Sequence, residues 1–342
     1  MVLVALLLLA AGCGADRTYT RIDGSTMGTY YQVTAFCPGQ SAEPLTRAIE
    51  AVLFAVNAEM STYDPSSELS QFNASAPGNW FPVSAPLLEV VGAGARLGEL
   101  TGGAFDVTVA PLVDLWGFGP SGATDAPPSA EAIARALEQT GWEALEMQAE
   151  PAALRKTAPL TVDLSAIAKG HGVDRVAAAL TSLGCMDLLV DIGGEVLGQG
   201  QGPRGGPWRV GVEVPDPTSA GAVQRVLSID GRAVATSGDY RNFIDYGDSE
   251  AGRVSHTIDP RTGRPVTHNV ASVTVVHEST MLADGLATAL NVLGLEEGLA
   301  LAESQGLAAL FVVRLNSPTE TGASAFEERY TSAMQNYLEP PR

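Results

Sequence analysis

Lys169 lies in the run Asp163-Leu-Ser-Ala-Ile-Ala-Lys-Gly-His-Gly-Val-Asp174, in a setting where a buried cation asks for an anion. Pro159 to Leu164 is short and branched enough for a buried strand, and Ser165 is a good N-cap, so a helix is predicted from there to about Leu183. Val173, Val176, Ala177 and Leu180 follow Lys169 at three- and four-residue spacing, which places the lysine on the apolar stripe. A helix N-terminus carries about half a positive charge, so a cation in the first turn is unfavourable unless an anion lies between them. A phosphate would meet that need. Gly170 and Gly172 each cost about 1 kcal/mol relative to alanine within a helix, which implies that something approaches the backbone closely. The plainer alternative is a lysine that snorkels off an apolar stripe beside two helix-weakening glycines.

A second cluster lies near the end of the chain. Met281 to Leu293 reads as a helix, with Leu282, Leu286, Ala289, Leu290 and Leu293 apolar. Asp284 and Thr288 are four residues apart on it, so their oxygens share a face. One carboxylate and one hydroxyl suit a hard cation such as magnesium, which completes its shell with water and phosphate oxygens. Alternatively, Asp284 is a first-turn helix acid and Thr288 a filler.

The elements that must position these residues alternate along the chain without internal repeats. Asp16 to Asp23 reads as a polar lead-in and Thr29 to Phe36 as a strand. Helices are predicted over Leu45 to Met60, Pro86 to Thr101 and Ala130 to Gln139, with a Gly- and Pro-rich linker from Gly117 to Ser129. Further strands are predicted at Asp187 to Ile192, Trp208 to Val214, Val223 to Ile229, Ala233 to Thr236, Val254 to Ile258 and Ala271 to His277. Adjacent strands without intervening helices imply antiparallel pairing, hence an α+β class and not a doubly wound sheet.

At 342 residues and 45% hydrophobic content the chain is globular, sized for one large two-lobed domain or two domains. Its net charge of −19 repels nucleic acid and anionic membrane surfaces, so no nucleic-acid partner is expected. A phosphate site in such a protein must supply its own cations. Residues 1–15 read as a signal and tether, and 16–342 as the folded domain. The apolar run Met1 to Ala11 is too short to span a bilayer, and Leu9-Ala-Ala-Gly-Cys13 resembles a bacterial lipoprotein processing site. Cys13 would be lipidated, anchoring the protein to a membrane of the cell envelope on the periplasmic side. A start assigned too far downstream would account for the missing basic leader, and an ordinary secretory signal is the alternative. Cys37 and Cys185 then remain; both are expected as small apolar fillers, not as a disulfide framework or a zinc site.

Two motifs are set aside. Gly200-Gln-Gly-Pro-Arg-Gly205 spells GxGxxG but runs into Gly206-Pro207, where a helix should begin, so a hairpin loop is expected. Asn73-Ala-Ser75 spells a glycosylation acceptor, which means little if the lipoprotein signal is bacterial. His171, His256, His268 and His277 lack compact metal spacing.

Together these segments resemble the FAD:protein FMN transferases, the ApbE or flavin-trafficking family. The resemblance runs from Ser25-Thr-Met-Gly-Thr29 through Ser61-Thr-Tyr-Asp64, Ser67-Glu68, Phe72-Asn73, Gly102-Gly-Ala-Phe-Asp-Val-Thr-Val-Ala-Pro-Leu112 and Trp116-Gly-Phe118. It continues through the Asp163 run, Ile192-Gly-Gly194, Ala235-Thr-Ser-Gly-Asp239, His256-Thr-Ile-Asp-Pro-Arg-Thr-Gly263 and Ala283-Asp-Gly-Leu-Ala-Thr288.

The resemblance implies a two-lobed fold that binds FAD through Met27, Tyr63, Ala104, Phe105, Asp106, Asp163, Lys169 and Ile258. It implies magnesium on Asp284, Thr288 and the backbone carbonyl of Ala166. The implied reaction transfers FMN from FAD to a serine or threonine of an acceptor flavoprotein and releases AMP, with His256 and Asp106 as candidates for proton handling or orientation. A membrane-associated or secreted flavoprotein, such as a redox-pump subunit, is the implied acceptor. Two alternatives remain open: a magnesium-dependent FAD pyrophosphatase, with water as the acceptor, and a non-catalytic lipoprotein that stores FAD.

Overall fold

Among the described residues, eight strands build one antiparallel sheet. In spatial order they are Thr20–Thr26, Thr29–Phe36, Asp187–Ile192, Glu195–Gln199, Arg232–Gly238, Val270–His277, Ala308–Arg314 and Phe326–Tyr330. Every neighbouring pair is antiparallel, as the α+β reading expected. The computed structural model describes residues 17–119, 121–122, 125–216, 219, 221–239, 243–247, 252–315 and 326–339. Cys13 and its leader, and parts of the 117–129 linker, lie outside the described residues.

Among the described residues seven α-helices accompany the sheet: α1 Ala42–Met60, α2 Glu68–Ala74, α3 Ala85–Leu100, α4 Ala110–Leu115, α5 Ala130–Leu137, α6 Ala168–Ser182 and α7 Thr280–Ser304. At one end of the sheet, Ile49 and Leu53 of α1 and Val176 and Leu180 of α6 close over Val33, Leu188 and Val190. Farther along, α3 and α7 join Ala233, Ala235, Val273, Val275 and Phe311 in a larger core. Successive strand residues face opposite ways, so Val234, Val276 and Leu310 meet the hairpin of Trp208–Glu213 and Val223–Ile229 on the other face. Leu112, Trp116 and Ile133 of the α4–α5 region cluster with Val254 and Ile258 as a smaller lobe.

Several local expectations are corrected. The second half of the lead-in, from Thr20 to Asp23, is strand: Thr20–Thr26 pairs with Thr29–Phe36 at the sheet edge. Of its residues only Ile22 is buried, so an edge strand of this kind carries little apolar signal. Pro159 to Leu164 joins no sheet. Leu160, Val162 and Leu164 are buried, yet the partner of Val162 is a side chain, since the Asn73 amide donates to its carbonyl and accepts from its N–H, each at 2.8 Å. The same bonds give Asn73 a structural task.

Helix α6 begins at Ala168 and not beside Ser165, because the Ser165 N–H and hydroxyl both donate to Asp163 Oδ1 instead of capping the helix. The expected strand Val254 to Ile258 is two short ones, Arg253–Ser255 and Ile258–Asp259, paired to different partners. The glycine loop after Gln199 is no hairpin either, since the strands it joins belong to different sheets. Cys37 and Cys185 form a disulfide across 148 residues, correcting their reading as separate fillers. The Thr29–Phe36 and Asp187–Ile192 strands pair with Phe36 opposite Asp187, which brings the cysteines at their ends together. No local sequence pattern reports such a juxtaposition.

Candidate active site

The site forms where α6 crosses the start of α7. Gly170 is the crossing point: a Cβ there would lie 2.3 Å from the Thr280 carbonyl oxygen, so the close approach inferred from this glycine is to another helix. Gly172 leaves room for the Met27 methyl, which a Cβ would meet at 3.1 Å. Asp174, one turn on, fixes the start of α7 by accepting from the Ser279 hydroxyl at 2.8 Å and the N–H groups of Thr280 and Met281 at 2.8 and 3.0 Å. The Ser279 hydroxyl also accepts from Leu282 N–H.

That docking brings Asp284 to the first turn of α6. Its Oδ2 accepts from Gly170 N–H at 3.0 Å and lies 3.7 Å from Lys169 Nζ. The anion required between lysine and helix terminus is therefore, in this structure, a carboxylate of the chain itself. Glu195 Oε1 approaches Lys169 Nζ from the other side at 3.4 Å, and the ammonium also reaches the Ser165 carbonyl at 3.5 Å. Burial opposes charge on Lys169, but Asp284 and Glu195 outweigh it and hold the ammonium above its usual range. Burial pushes Glu195 up to about 8, with Lys169 pulling down and Asp284 pushing up. Burial likewise raises Asp284, against Lys169 and the Gly170 N–H.

This cluster lines a cleft of about 1120 Å³ shared by the main sheet, α1, α6, α7 and the smaller lobe. Eleven of the twelve residues expected at the site line it: Met27, Tyr63, Phe105, Asp106, Asp163, Ala166, Lys169, His256, Ile258, Asp284 and Thr288. Ala104 is buried behind the wall and is absent from the lining. Met27 sits in a two-residue hairpin turn with Gly28, both at positive φ (47° and 71°), a conformation a methionine rarely adopts. Tyr63 is exposed at the rim; Ser61 Oγ accepts from Tyr63 N–H at 3.2 Å and from Asp64 N–H at 3.1 Å.

Asp106 is buried, and both its oxygens are engaged. Oδ1 accepts from Thr108 N–H and Oγ, each at 2.7 Å, and Oδ2 from Trp142 N–H at 3.2 Å. Burial raises its pKa against these bonds. It braces the wall loop. His256 lies on the small-lobe side, with its ring 6.2 Å from that of Phe118.

Among the described lining residues, four carboxylates, Asp106, Asp163, Glu195 and Asp284, face one basic side chain, Lys169. Such a cleft attracts an added cation more than a bare anion. Among the described residues no group of three or more His, Cys, Asp or Glu gathers, so any metal here must also draw on hydroxyl, carbonyl or ligand oxygens. Asp284, Thr288 and the Ala166 carbonyl are hard oxygen donors on one cleft, and Glu195 Oε2 is buried without a partner. The residues therefore fit a magnesium-like cation.

Glu195 was missed by the reading that stopped at Ile192-Gly-Gly194. Its signal was present: a Gly-Gly pair between two strands marks a tight hairpin, and Ile192 indeed pairs with Glu195 across Gly193-Gly194. A glutamate opening a buried strand then needs a partner. Thr236, Ser237 and Gly238, also in the lining, come from a stretch already noted for its likeness to the family.

The chain is similar to known proteins over most of its length. The ApbE family model matches residues 27–311. FAD:protein FMN transferase of Vibrio cholerae is 43% identical over 341 residues, 99% of this chain and 98% of that protein. Its Haemophilus influenzae counterpart is 38% identical over 98% of both. The crystal structure of the flavinyl transferase ApbE of Pseudomonas stutzeri superposes with a TM-score of 0.84 at 40% identity, over 95% of this chain and 98% of that one. The flavin transferase ApbE of Vibrio cholerae gives 0.83 at 41% identity, over 94% and 99%. The chain belongs to the ApbE family.

Proposed function

We propose that this protein is an enzyme that transfers FMN from FAD to a serine or threonine hydroxyl of an acceptor flavoprotein. The observation that carries the reading is the Lys169, Asp284 and Glu195 cluster on one cleft with Met27, Tyr63 and Phe105, in a chain whose relatives are named FAD:protein FMN transferases. The acceptor oxygen attacks the phosphorus on the flavin side of the FAD pyrophosphate. A new P–O bond forms, the bond to the bridging oxygen breaks, AMP leaves with that electron pair, and the hydroxyl gives up its proton.

Lys169 draws charge from the pyrophosphate, and Met27, Phe105 and Tyr63 offer apolar surface to the ring systems. Asp163 and Ile258, which line the same cleft, would flank the nucleotide. His256 handles the proton better than Asp106, whose oxygens are committed to Thr108 and Trp142. A magnesium ion held by Asp284, Thr288 and the Ala166 carbonyl would neutralise pyrophosphate charge. Catalysis rests mainly on positioning and electrostatics.

The test is incubation with FAD, magnesium and a flavoprotein acceptor, read by intact-mass spectrometry, with Asp284→Ala as control. A covalent FMN adduct formed by the parent protein alone supports transfer; its absence overturns it. FMN and AMP released without an acceptor would instead mark a pyrophosphatase, and FAD left intact a storage protein.

We also propose export to the cell envelope with lipid on Cys13. The Cys37–Cys185 disulfide supports the export half, because such bonds persist in oxidising compartments. Palmitate labelling that is lost in Cys13→Ala would support the anchor; equal labelling of both would refute it.

A further inference from the structure

Glu195 opens the strand Glu195–Gln199, and the pairing of Ile192 with Glu195 fixes its place at the cleft. Its side chain is only 6% exposed, and Oε1 faces Lys169 Nζ at 3.4 Å. Oε2 has no hydrogen-bond partner. An oxygen of a buried carboxylate left without a donor is costly, and such groups are normally paired or bound to a metal. The same ammonium is 3.7 Å from Asp284, so one positive charge serves two buried carboxylates. Glu195 Oε2 is the oxygen of this group left open.

We propose that Glu195 is a ligand of the same divalent cation as Asp284, and that Lys169 is a tethered ammonium holding the two carboxylates until that cation takes its place. The proposal rests on the reading of Asp284 as a cation ligand given above. An ammonium on a four-carbon stem is a compact, movable point charge, well suited to fill a cation position and then leave it. Two carboxylates with a hydroxyl form a hard oxygen set. Displacement would free Lys169 Nζ for a phosphate oxygen, so that each charge keeps a partner in both states.

The test is Mn2+ binding to the full-length, FAD-free protein, followed by electron paramagnetic resonance, in the parent, E195Q, K169M and the double variant. E195Q should weaken Mn2+ by roughly tenfold or more, and K169M should tighten it by removing the competing ammonium. The decisive comparison is E195Q in the K169M background, where no lysine remains to be misplaced. The same loss there supports the proposal; equal Mn2+ affinity in K169M and the double variant overturns it. Glu195→Asp, which keeps the charge, should bind more tightly than E195Q, and equal binding by the two would also count against it. Asp284→Ala separates the two readings: if it alone loses Mn2+, only the role of Glu195 falls, and if neither carboxylate matters, the cation reading falls with it.

Discussion

Lys169 is held by two buried carboxylates, and its removal would expose their repulsion. A carboxyl with a raised folded pKa keeps its proton longer in the folded than in the unfolded chain. The contribution of Glu195 to stability therefore falls as pH rises from its ordinary 4.5 to about 8. In Lys169→Met no ammonium offsets the ionised form, so the variant should lose about 3–5 kcal/mol at pH 9 and less at pH 6. Urea unfolding at both values checks this; a loss independent of pH would contradict it. His171 gives the opposite slope. Burial, then Arg175, pushes it down to about 4 from 6.5, and Asp174 opposes. The unfolded chain thus binds the proton more readily, and stability is lost as pH falls from 6.5 through 4, by up to about 3 kcal/mol. His171→Gln should flatten that limb, and a variant retaining the full slope would show that another group causes it.

At the scale of elements, the site depends on how α6 and α7 cross. Asp174 on α6 receives three hydrogen bonds from the first residues of α7 and its N-cap, so it fixes the helix that carries Asp284 and Thr288. Asp174→Ala should cost about 2 kcal/mol of stability and lower kcat/KM roughly tenfold to hundredfold by displacing Asp284. Thermal unfolding and steady-state kinetics measure the two effects; unchanged kinetics in a destabilised variant would confine Asp174 to stability. Farther along, α7 breaks at Gly294, where φ is 74° and a Cβ would lie 2.8 Å from His268. His268 Nε2 lies 2.7 Å from the Asn291 carbonyl, placed to donate to an oxygen one turn before the kink.

The whole molecule is tied across its length by Cys37–Cys185, which closes a loop spanning 148 residues. Cys185→Ala should lose about 2–5 kcal/mol, chiefly through the gained entropy of its unfolded chain. Reductant should lower the Tm of the parent toward that of the variant and leave the variant unmoved. Were the parent equally stable with and without reductant, the bond would not be holding the fold. The cleft is a product of the same scale, because its walls come from the first hairpin, strands of the middle of the chain, three major helices and the smaller lobe.

Much of the secondary structure, and most of the residues that line the candidate cleft, were legible in residue order. Thr29 to Phe36 and Asp187 to Ile192 read as strands because period-two burial writes itself into residue order, and Lys169 stood out because helix electrostatics is local. Motif likeness added Met27, Asp106 and Asp163, which no local rule singles out. The tertiary structure alone decided that Gly170 accommodates α7, that Asp284 is the anion beside Lys169, that Asp106 braces a loop, and that Glu195 completes the cluster. Each of these is a contact between segments far apart in the chain. Residue order sets which side chains share a face, while the packing of one element on another sets which faces meet.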